Sequence, residues 1–159
     1  MKGYLIIIIS KEENNMRSIT YYATNEEFMQ VLAKGGYVPV KYKDCNCHGA
    51  TEYFINEDCN LIHVLPTRIR AKKEPDVAYT KYTYNPEKSR NNSGYHLIYI
   101  GFSALLHRVM AYTFLGNPAF SQTDVDHIDE NKDNCSPSNL RWCTHSENQK
   151  KHCDMKKEV

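Results

Sequence analysis

Four polar residues near the end of the chain have the types and spacing of a hydrolytic site. Asp126 and His127 are adjacent, Asn139 follows twelve residues after the histidine, and Asn148 lies nine residues further on. Hydrolysis of a phosphodiester requires an activated water and a cation that stabilises charge on the phosphoryl and leaving oxygens. A carboxylate, an imidazole and two amides can supply these functions, so we expect this stretch to carry metal-dependent phosphodiesterase chemistry.

Each of these residues fits one part of that reaction. Asp126 offers a charged oxygen and Asn148 a neutral one, which suits Mg²⁺ (or Mn²⁺) and leaves positions open for water and phosphate. His127 points to a different side of the backbone from its neighbour and can act as a general base near neutral pH. Asn139 is expected to hold either the imidazole or the loop by hydrogen bonding.

The local sequence predicts a strand, a loop, a second strand and a helix around these residues. Residues 123–126 read as a short strand, residues 128–139 as a loop rich in Asp, Asn, Ser and Pro, and residues 140–143 as the second strand. The run T-H-S-E at 144–147 is a capping box, which begins a terminal helix. This helix would carry Asn148 one turn from its start, where the side chain can face the first strand.

A strand and a further helix are expected just before this unit. Residues 94–102 alternate as a strand, and Ser103 is expected to cap a helix that runs through Leu115. We expect Arg108 in this helix, and Arg141 in the second strand of the site, to contact the phosphates of the substrate.

The middle of the chain has the basic character that a polyanion would need, although the net charge of the chain is only +1. Residues 41–108 carry 10 basic and 7 acidic groups, whereas residues 109–159 carry 6 and 8. This region contains a compact run of four basic residues. The run is expected either to be a solvated, charged surface or to contact phosphates without reading base sequence. It consists of Arg68, Arg70, Lys72 and Lys73.

The order of the sequence motifs resembles a known nuclease family. The run H-R-V-M-A-Y-T-F-L-G-N-P begins at His107, and V-D-H-I-D-E-N-K-D-N, S-N-L-R-W and T-H-S-E-N follow, the last ending at Asn148. This series resembles the HNH endonucleases of phages and mobile introns, which have the ββα-metal fold, and in particular the nicking homing endonucleases among them. The resemblance implies that His127 is the general base. It also implies that Asp126 and Asn148 bind the divalent ion, and that Asn139 supports the active-site loop.

The resemblance implies a substrate, and a weaker resemblance is found in the upstream sequence. Residues 53–62 (Y-F-I-N-E-D-C-N-L-I) are similar to a DNA-binding motif that often precedes this nuclease. Double-stranded DNA is the implied partner, with 5′-phosphate and 3′-hydroxyl products. One active site per chain implies a nick in one strand, and a homodimer would cut both.

These expectations combine into an α+β chain of three parts. Residues 1–43 are predicted to form an N-terminal ββαβ module of unknown role, and residues 44–102 a small β-rich DNA-binding region. Residues 103–159 are predicted to form the ββα-metal nuclease domain.

The N-terminal module shows a clear pattern of elements. Strands are predicted at residues 5–9, 17–23 and 37–42, and the run T-N-E-E at 24–27 is a capping box that begins a helix. Pro39 suggests that the last of these strands lies at the edge of a sheet.

The six cysteines do not match the usual structural zinc pattern. C-N-C-H at residues 45–48 is tighter than C-x2-4-C, and Cys135, Cys143 and Cys153 include no C-x-x-C pair. We therefore do not expect zinc as a cofactor, and the intracellular location expected for this chain favours reduced thiols over disulfides. A zinc-stabilised interaction module remains one alternative function, and a catalytically inactive DNA-binding protein on the same scaffold is another.

The sequence gives no sign of a membrane protein. No stretch approaches membrane-spanning length, and the apolar run at residues 5–9 is too short for a signal sequence. The expected location is the cytoplasm of a bacterium or of a phage-infected host cell.

Overall fold

The computed structural model of the chain describes five stretches, which are residues 11–13, 16–42, 52–65, 76–87 and 90–155. Three predicted features lie outside these residues: the strand at 5–9, the C-N-C-H run at 45–48, and the basic run at 68–73.

Six antiparallel strands form one sheet in the first half of the chain. In chain order they are Lys11–Glu13 (β1), Met16–Ala23 (β2), Val38–Pro39 (β3), Glu52–Ile55 (β4), Leu61–Val64 (β5) and Val77–Thr83 (β6). Across the sheet the order is β1-β2-β6-β5-β4-β3. With the helices given below, this confirms the predicted α+β class.

The longest strand pairing in the sheet joins the predicted N-terminal module to the predicted middle region. β2 pairs with β6, and the Tyr21 and Tyr79 rings stack across the pair with centroids 5.2 Å apart. Aromatic cross-strand pairs of this kind stabilise a sheet beyond its backbone hydrogen bonds. The predicted boundary between residues 43 and 44 therefore falls within one hydrogen-bonded sheet.

The edge position suggested by Pro39 is confirmed, because β3 is the last strand of the sheet. The strand contains only Val38–Pro39 and is shorter than the predicted 37–42. Proline lacks the backbone N–H that an interior strand would need, which limits how far pairing can extend here.

Helix α1, Asn25–Lys34, begins at the predicted capping box. The Glu27 amide donates to Thr24 Oγ1 at 3.2 Å, and the Thr24 amide donates to Glu27 Oε2 at 2.9 Å. The apolar face of the helix buries Phe28 and Leu32 against the sheet. The start of α1 agrees with the prediction.

The sheet packs on both of its faces. Leu61 and Ile62 are neighbours in β5, and since successive side chains of a strand point to opposite faces, they enter different cores. Ile62 joins the cluster under α1, together with Ala23, Phe28, Leu32, Tyr37, Val77 and Tyr79. Leu61 joins the larger cluster, which connects the sheet to the C-terminal half through side chains such as Ile98, Val109, Val125 and Leu140.

A hairpin lies where one long strand was predicted at residues 94–102. It consists of Leu97–Tyr99 (β7) and Ser103–Leu105 (β8), paired antiparallel. Gly101 has φ +87°, a left-handed conformation that glycine adopts without steric cost and that lets the chain reverse.

The helix predicted from Ser103 starts later than expected. Ser103 pairs with Tyr99 in the hairpin, so it is not the N-cap, and α2 spans Leu106–Met110. A π-helical turn continues it over Ala111–Leu115, and Gly116 follows at φ +82°. The predicted end of the helical segment at Leu115 is therefore confirmed.

The C-terminal unit has the predicted order of strand, loop, strand and helix. β9 is Asp124–His127, β10 is Leu140–Cys143, and α3 is His145–Met155. The two strands pair antiparallel, and the loop between them ends in a 3-10 turn at Pro137–Asn139. None of the described helices is long and apolar enough to cross a membrane.

Candidate active site

The hairpin of β9 and β10 places the predicted carboxylate and imidazole on opposite faces of one strand. Asp126 is paired with Arg141, and the adjacent His127 with Leu140. Because side chains alternate along a strand, Asp124 shares the face of Asp126, and this face is turned toward α3. The imidazole of His127 lies on the other face, within a cluster of rings.

His127 is only 5% exposed and is surrounded by uncharged rings. Its ring centroid lies 5.1 Å from that of His107 and 6.2 Å from that of Tyr95. Burial lowers the pKa of His127 below its ordinary value of 6.5, and the carboxylates of Asp129 and Asp126 offset part of this shift. The imidazole is therefore mostly neutral at pH 7 and able to accept a proton.

One imidazole nitrogen of His127 faces a thiol. Nε2 lies 3.8 Å from Sγ of Cys135, whose pKa burial raises to about 12, so the sulfur is a neutral thiol. The same sulfur lies 3.6 Å from the carbonyl oxygen of Lys132, to which it can donate its proton. No described residue forms a hydrogen bond with Nδ1 of His127, which leaves that nitrogen as the one available to water.

His107 packs beside His127 as a neutral ring. Burial, followed by the nearby His127 and Arg108, lowers the pKa of His107 to about 3. Its Nδ1 is buried and has no hydrogen-bond partner in the described part of the chain. The ring therefore forms part of the wall behind His127.

Asn139 holds the loop between the strands. Its Nδ2 donates to Asp129 Oδ1 and to the carbonyl oxygen of Asn134, both at 2.8 Å, and its Oδ1 accepts from the Asp129 amide at 3.0 Å. Among the described residues, no contact joins its side chain to the His127 imidazole. Of the two predicted roles for Asn139, these contacts are those expected if it holds the loop.

Two cationic side chains surround the carboxylate of Asp126, which is 5% exposed. Arg141 donates to Oδ2 from Nε at 2.9 Å, and its Nη2 lies 2.8 Å from the same oxygen in an ion pair. Nζ of Lys151 lies 3.1 Å from each carboxylate oxygen and also donates to the carbonyl oxygens of His127, at 2.8 Å, and Ile128, at 3.2 Å. A positive charge therefore already lies where the predicted divalent ion would meet Asp126.

Asn148 faces β9 as predicted, but its closest polar contact there is Asp124. Its Nδ2 donates to Asp124 Oδ2 at 3.2 Å, and the same oxygen lies 3.0 Å from Nδ1 of His145. The predicted second capping box sets this geometry, since the Glu147 amide donates to Thr144 Oγ1 at 3.2 Å at the start of α3. The hydrogen bond from His145 is the main cause that lowers the pKa of Asp124.

The donor set next to Asp126 fits a hard divalent cation better than zinc. Within the described residues, no three His, Cys, Asp or Glu side chains are grouped so that they could hold a metal ion together. The oxygens grouped here are those of the Asp126 carboxylate and of the His127 and Ile128 carbonyls, and the amide of Asn148 lies on the same face of β9 in contact with Asp124. Mg²⁺ or Mn²⁺ accepts carboxylate, carbonyl and amide oxygens together with water. The ammonium of Lys151 shows that this oxygen cluster accommodates a cation.

The loop of the site is anchored to the preceding hairpin by one carboxylate. Asp133 Oδ1 lies 2.7 Å from Nε2 of His96, a fully buried side chain, and its Oδ2 accepts from Arg90 Nη2 at 2.6 Å. Lys132, beside it in the loop, donates to the carbonyl oxygen of Ser93 at 3.0 Å. These contacts fix the loop that carries Cys135 toward His127.

The predicted DNA-contacting arginines of the C-terminal unit both have partners within the protein. Arg108 Nη2 donates to the carbonyl oxygen of Thr123 at 2.8 Å and lies 3.9 Å from Asp124. Its side chain is 26% exposed, so only part of it is open to a substrate. The side chain of Arg141 is 52% exposed while it contacts Asp126, which leaves part of its guanidinium open to solvent.

Sequence reasoning missed Asp124 and Lys151 as members of the site. Both could have been found from periodicity, since Asp124 lies two residues before Asp126 in a strand, and Lys151 lies three residues after Asn148 in a helix. His96 and Asp133 had no such signal, because their contact depends on how the hairpin packs against the loop.

The part of the chain that carries these residues matches a known family. Residues 104–150 match the model of a family described as HNH endonucleases. A protein of Acanthamoeba polyphaga mimivirus named as an uncharacterized HNH endonuclease is 37% identical to this chain over 54 residues. The aligned part is 34% of this chain and only 16% of that protein. No solved structure matches the chain. Residues 104–150, which contain the β9–β10 hairpin and the start of α3, are therefore an HNH endonuclease domain.

Proposed function

We propose that this chain is a metal-dependent DNA endonuclease that hydrolyses phosphodiester bonds and nicks one strand of a duplex. The observation that carries the proposal is the pairing of a neutral, buried His127 with an acidic Asp126 on the opposite face of β9, within the HNH domain. One residue can take a proton while the other attracts a cation, and their adjacency in a paired strand fixes them relative to each other.

His127 is the proposed general base. Its lowered pKa keeps the imidazole in the form that accepts a proton, and Nδ1 is the nitrogen without a hydrogen-bond partner among the described residues. A water activated there would attack the phosphorus, and the bond to the 3′ oxygen of the preceding nucleotide would break. The products would be a 5′-phosphate and a 3′-hydroxyl.

Asp126 and Asn148 are the proposed ligands of Mg²⁺ or Mn²⁺. Such an ion, when bound, stabilises negative charge on the phosphoryl and leaving oxygens. Asp126 contributes the charged oxygen from β9. Asn148 contributes its amide oxygen from α3, the helix that begins at the Thr144 cap.

The proposed substrate contacts involve two arginines near Asp126. Arg141 is half exposed beside Asp126, and Arg108 lies on the neighbouring α2. Contacts of these side chains with phosphate would position the duplex without reading its sequence. The proposal gives each chain one site and hence one nick, while a homodimer would bring two sites to the two strands.

A supercoiled plasmid tests the proposal directly. Wild type should convert it to the open circle in Mg²⁺ or Mn²⁺ and not in EDTA, and His127→Ala should lose this activity. His63→Ala is a matched control, because that histidine stacks on Tyr53 within the sheet and does not contact the site. Metal-dependent nicking by a correctly folded His127→Ala variant would show that the base is wrongly assigned.

The contact of Lys151 with Asp126 favours a second candidate, a DNA-binding protein that does not cleave. In that case Lys151 would neutralise Asp126 permanently and no ion would bind. The same plasmid assay distinguishes the two, because this candidate predicts salt-sensitive DNA binding with no nicking in either metal.

A further inference from the structure

Lys151 makes an unusual set of contacts for a lysine close to the surface. Its Nζ lies within 3.2 Å of four oxygens, two from the carboxylate of Asp126 and two from the main chain at His127 and Ile128. An ammonium has only three protons to donate, so four oxygens at this range form a cluster suited to a cation in general. The side chain of Lys151 is only 20% exposed and that of Asp126 only 5%.

Space and charge prevent an ammonium and a metal ion from sharing this position. Mg²⁺ binds carboxylate oxygens at about 2.0–2.1 Å and requires near-octahedral geometry. Both carboxylate oxygens of Asp126 already face Nζ, and Arg141 contacts Oδ2 from a second direction. An ion bound to Asp126 would therefore lie beside the ammonium, where like charges repel.

The position of Lys151 on α3 relates it directly to the other proposed ligand. It follows Asn148 by three residues, so both side chains lie on the face of the helix that is turned toward β9. The two residues face the same side of the strand but contact different carboxylates, Asn148 at Asp124 and Lys151 at Asp126.

We propose that Lys151 is a built-in competitor of the divalent ion, which holds the cation position at Asp126 in the metal-free protein and leaves it when the ion binds. The inference rests on the proposed function, because it takes Asp126 as a metal ligand. It adds that the affinity for metal is set by the loss of the lysine contacts as well as by the gain of the metal contacts. The flexible four-carbon stem of lysine allows the ammonium to swing into solvent without unfolding of the helix.

Calorimetric titration with Mn²⁺ in the absence of DNA tests the competition. Lys151→Met keeps an unbranched side chain on the helix and removes the charge, so Mn²⁺ should bind about tenfold more tightly, which corresponds to the loss of one charge-assisted hydrogen bond. Lys150→Met is the matched control, because it removes the same charge from the adjacent, exposed residue. Its affinity should stay close to that of wild type.

The outcomes separate this inference from the proposed function. If Lys151→Met binds Mn²⁺ no more tightly than Lys150→Met, the competition is refuted. The proposed metal site is still supported in that case if wild type binds Mn²⁺ and Asp126→Asn abolishes the binding. If neither wild type nor any variant binds Mn²⁺, both the competition and the proposed metal site are refuted. If only Lys151→Met binds, the competition is supported and is strong enough to mask the site.

Chemical labelling of the wild-type amines gives a second test that does not depend on a variant. The Lys151 amine should react slowly with an acylating reagent in EDTA and faster when Mn²⁺ is added, as followed by mass spectrometry of the digested protein. Lys150 provides the internal standard and should react equally in both conditions. Equal protection of Lys151 with and without bound Mn²⁺ would contradict its displacement.

Discussion

Nδ2 of Asn148 donates a hydrogen bond to Oδ2 of Asp124 over 3.2 Å. A carboxylate only accepts hydrogen bonds, so this contact fixes which end of the amide faces the strand. The amide nitrogen of Asn148 is therefore turned toward Asp124 in β9. A metal ion at Asp126 would therefore require the amide of Asn148 to turn and present its oxygen.

Replacement of Asn148 measures its role as a ligand. Asn148→Ala should weaken Mn²⁺ binding by at least about tenfold. Loss of a residue that only orients a metal ligand already weakens metal binding by about tenfold or more, and loss of a ligand should cost at least as much. Titration calorimetry without DNA gives the affinity. Ser146→Ala, two residues nearer the start of α3 and exposed, serves as the control. If Asn148→Ala binds Mn²⁺ as wild type does, Asn148 only anchors the helix to Asp124.

The pH dependence of cleavage should report the burial of His127. Only the neutral imidazole accepts a proton, so kcat/KM should fall as pH decreases through the pKa of His127. Burial places that fall below 6.5, and a bound cation nearby would shift it further in the same direction. His127→Ala should reduce the plateau rate by a factor of about 10² to 10⁴. An acid limb centred above pH 6.5 would disagree with a buried base.

The two capping boxes offer a matched pair of substitutions. Thr24→Ala and Thr144→Ala each remove a side-chain cap, and each should lower the free energy of unfolding by about 1 kcal/mol in urea titrations. The caps differ in place, since Thr24 begins α1 under the sheet and Thr144 begins the helix of the site. Only Thr144→Ala should also weaken Mn²⁺ binding. Equal affinities in the two variants would mean that the cap of α3 does not position Asn148.

The anchor between Asp133 and His96 should matter for stability. Asp133→Ala leaves the buried His96 with one partner fewer and should cost about 1 to 2 kcal/mol, because Asp133 is itself one-third exposed and screened. Asp133→Asn retains an oxygen that can accept a hydrogen bond and should cost less. Urea unfolding of both variants and of wild type at pH 7 gives the comparison, and a larger loss in Asp133→Asn would contradict it.

The same anchor has a definite pH signature. The hydrogen bond from His96 is the largest cause that lowers the pKa of Asp133 below 3.8. A lowered carboxyl pKa gives stability that is present above 3.8 and is lost as pH falls through the folded-state value. The stability difference between wild type and Asp133→Ala should therefore shrink in strong acid.

Local rules were enough to predict the part of the site that is continuous in sequence. Both capping boxes, the two strands around the loop and the orientation of His127 away from Asp126 follow from residues within a few positions of one another. Ser103 shows the limit of such rules, because it has the chemistry of an N-cap but pairs with Tyr99 in a hairpin.

Contacts between distant segments could not be deduced in the same way. The pairing of β2 with β6 and the approach of Asp133 to His96 depend on how separate elements pack. Lys151 is an intermediate case, since helical periodicity places it on the correct face and only the fold shows that it reaches Asp126.

The alternation in β5 has a consequence for how this chain can change during evolution. Leu61 enters the larger cluster, which connects the sheet to the C-terminal half, and Ile62 enters the cluster under α1. Insertion or deletion of a single residue in this strand would exchange the two, and every neighbour along it, between the cores. Substitutions there can be tolerated when size is kept, but changes of length by one residue should be eliminated by selection, so the spacing of β5 should be more constant among relatives than its residues.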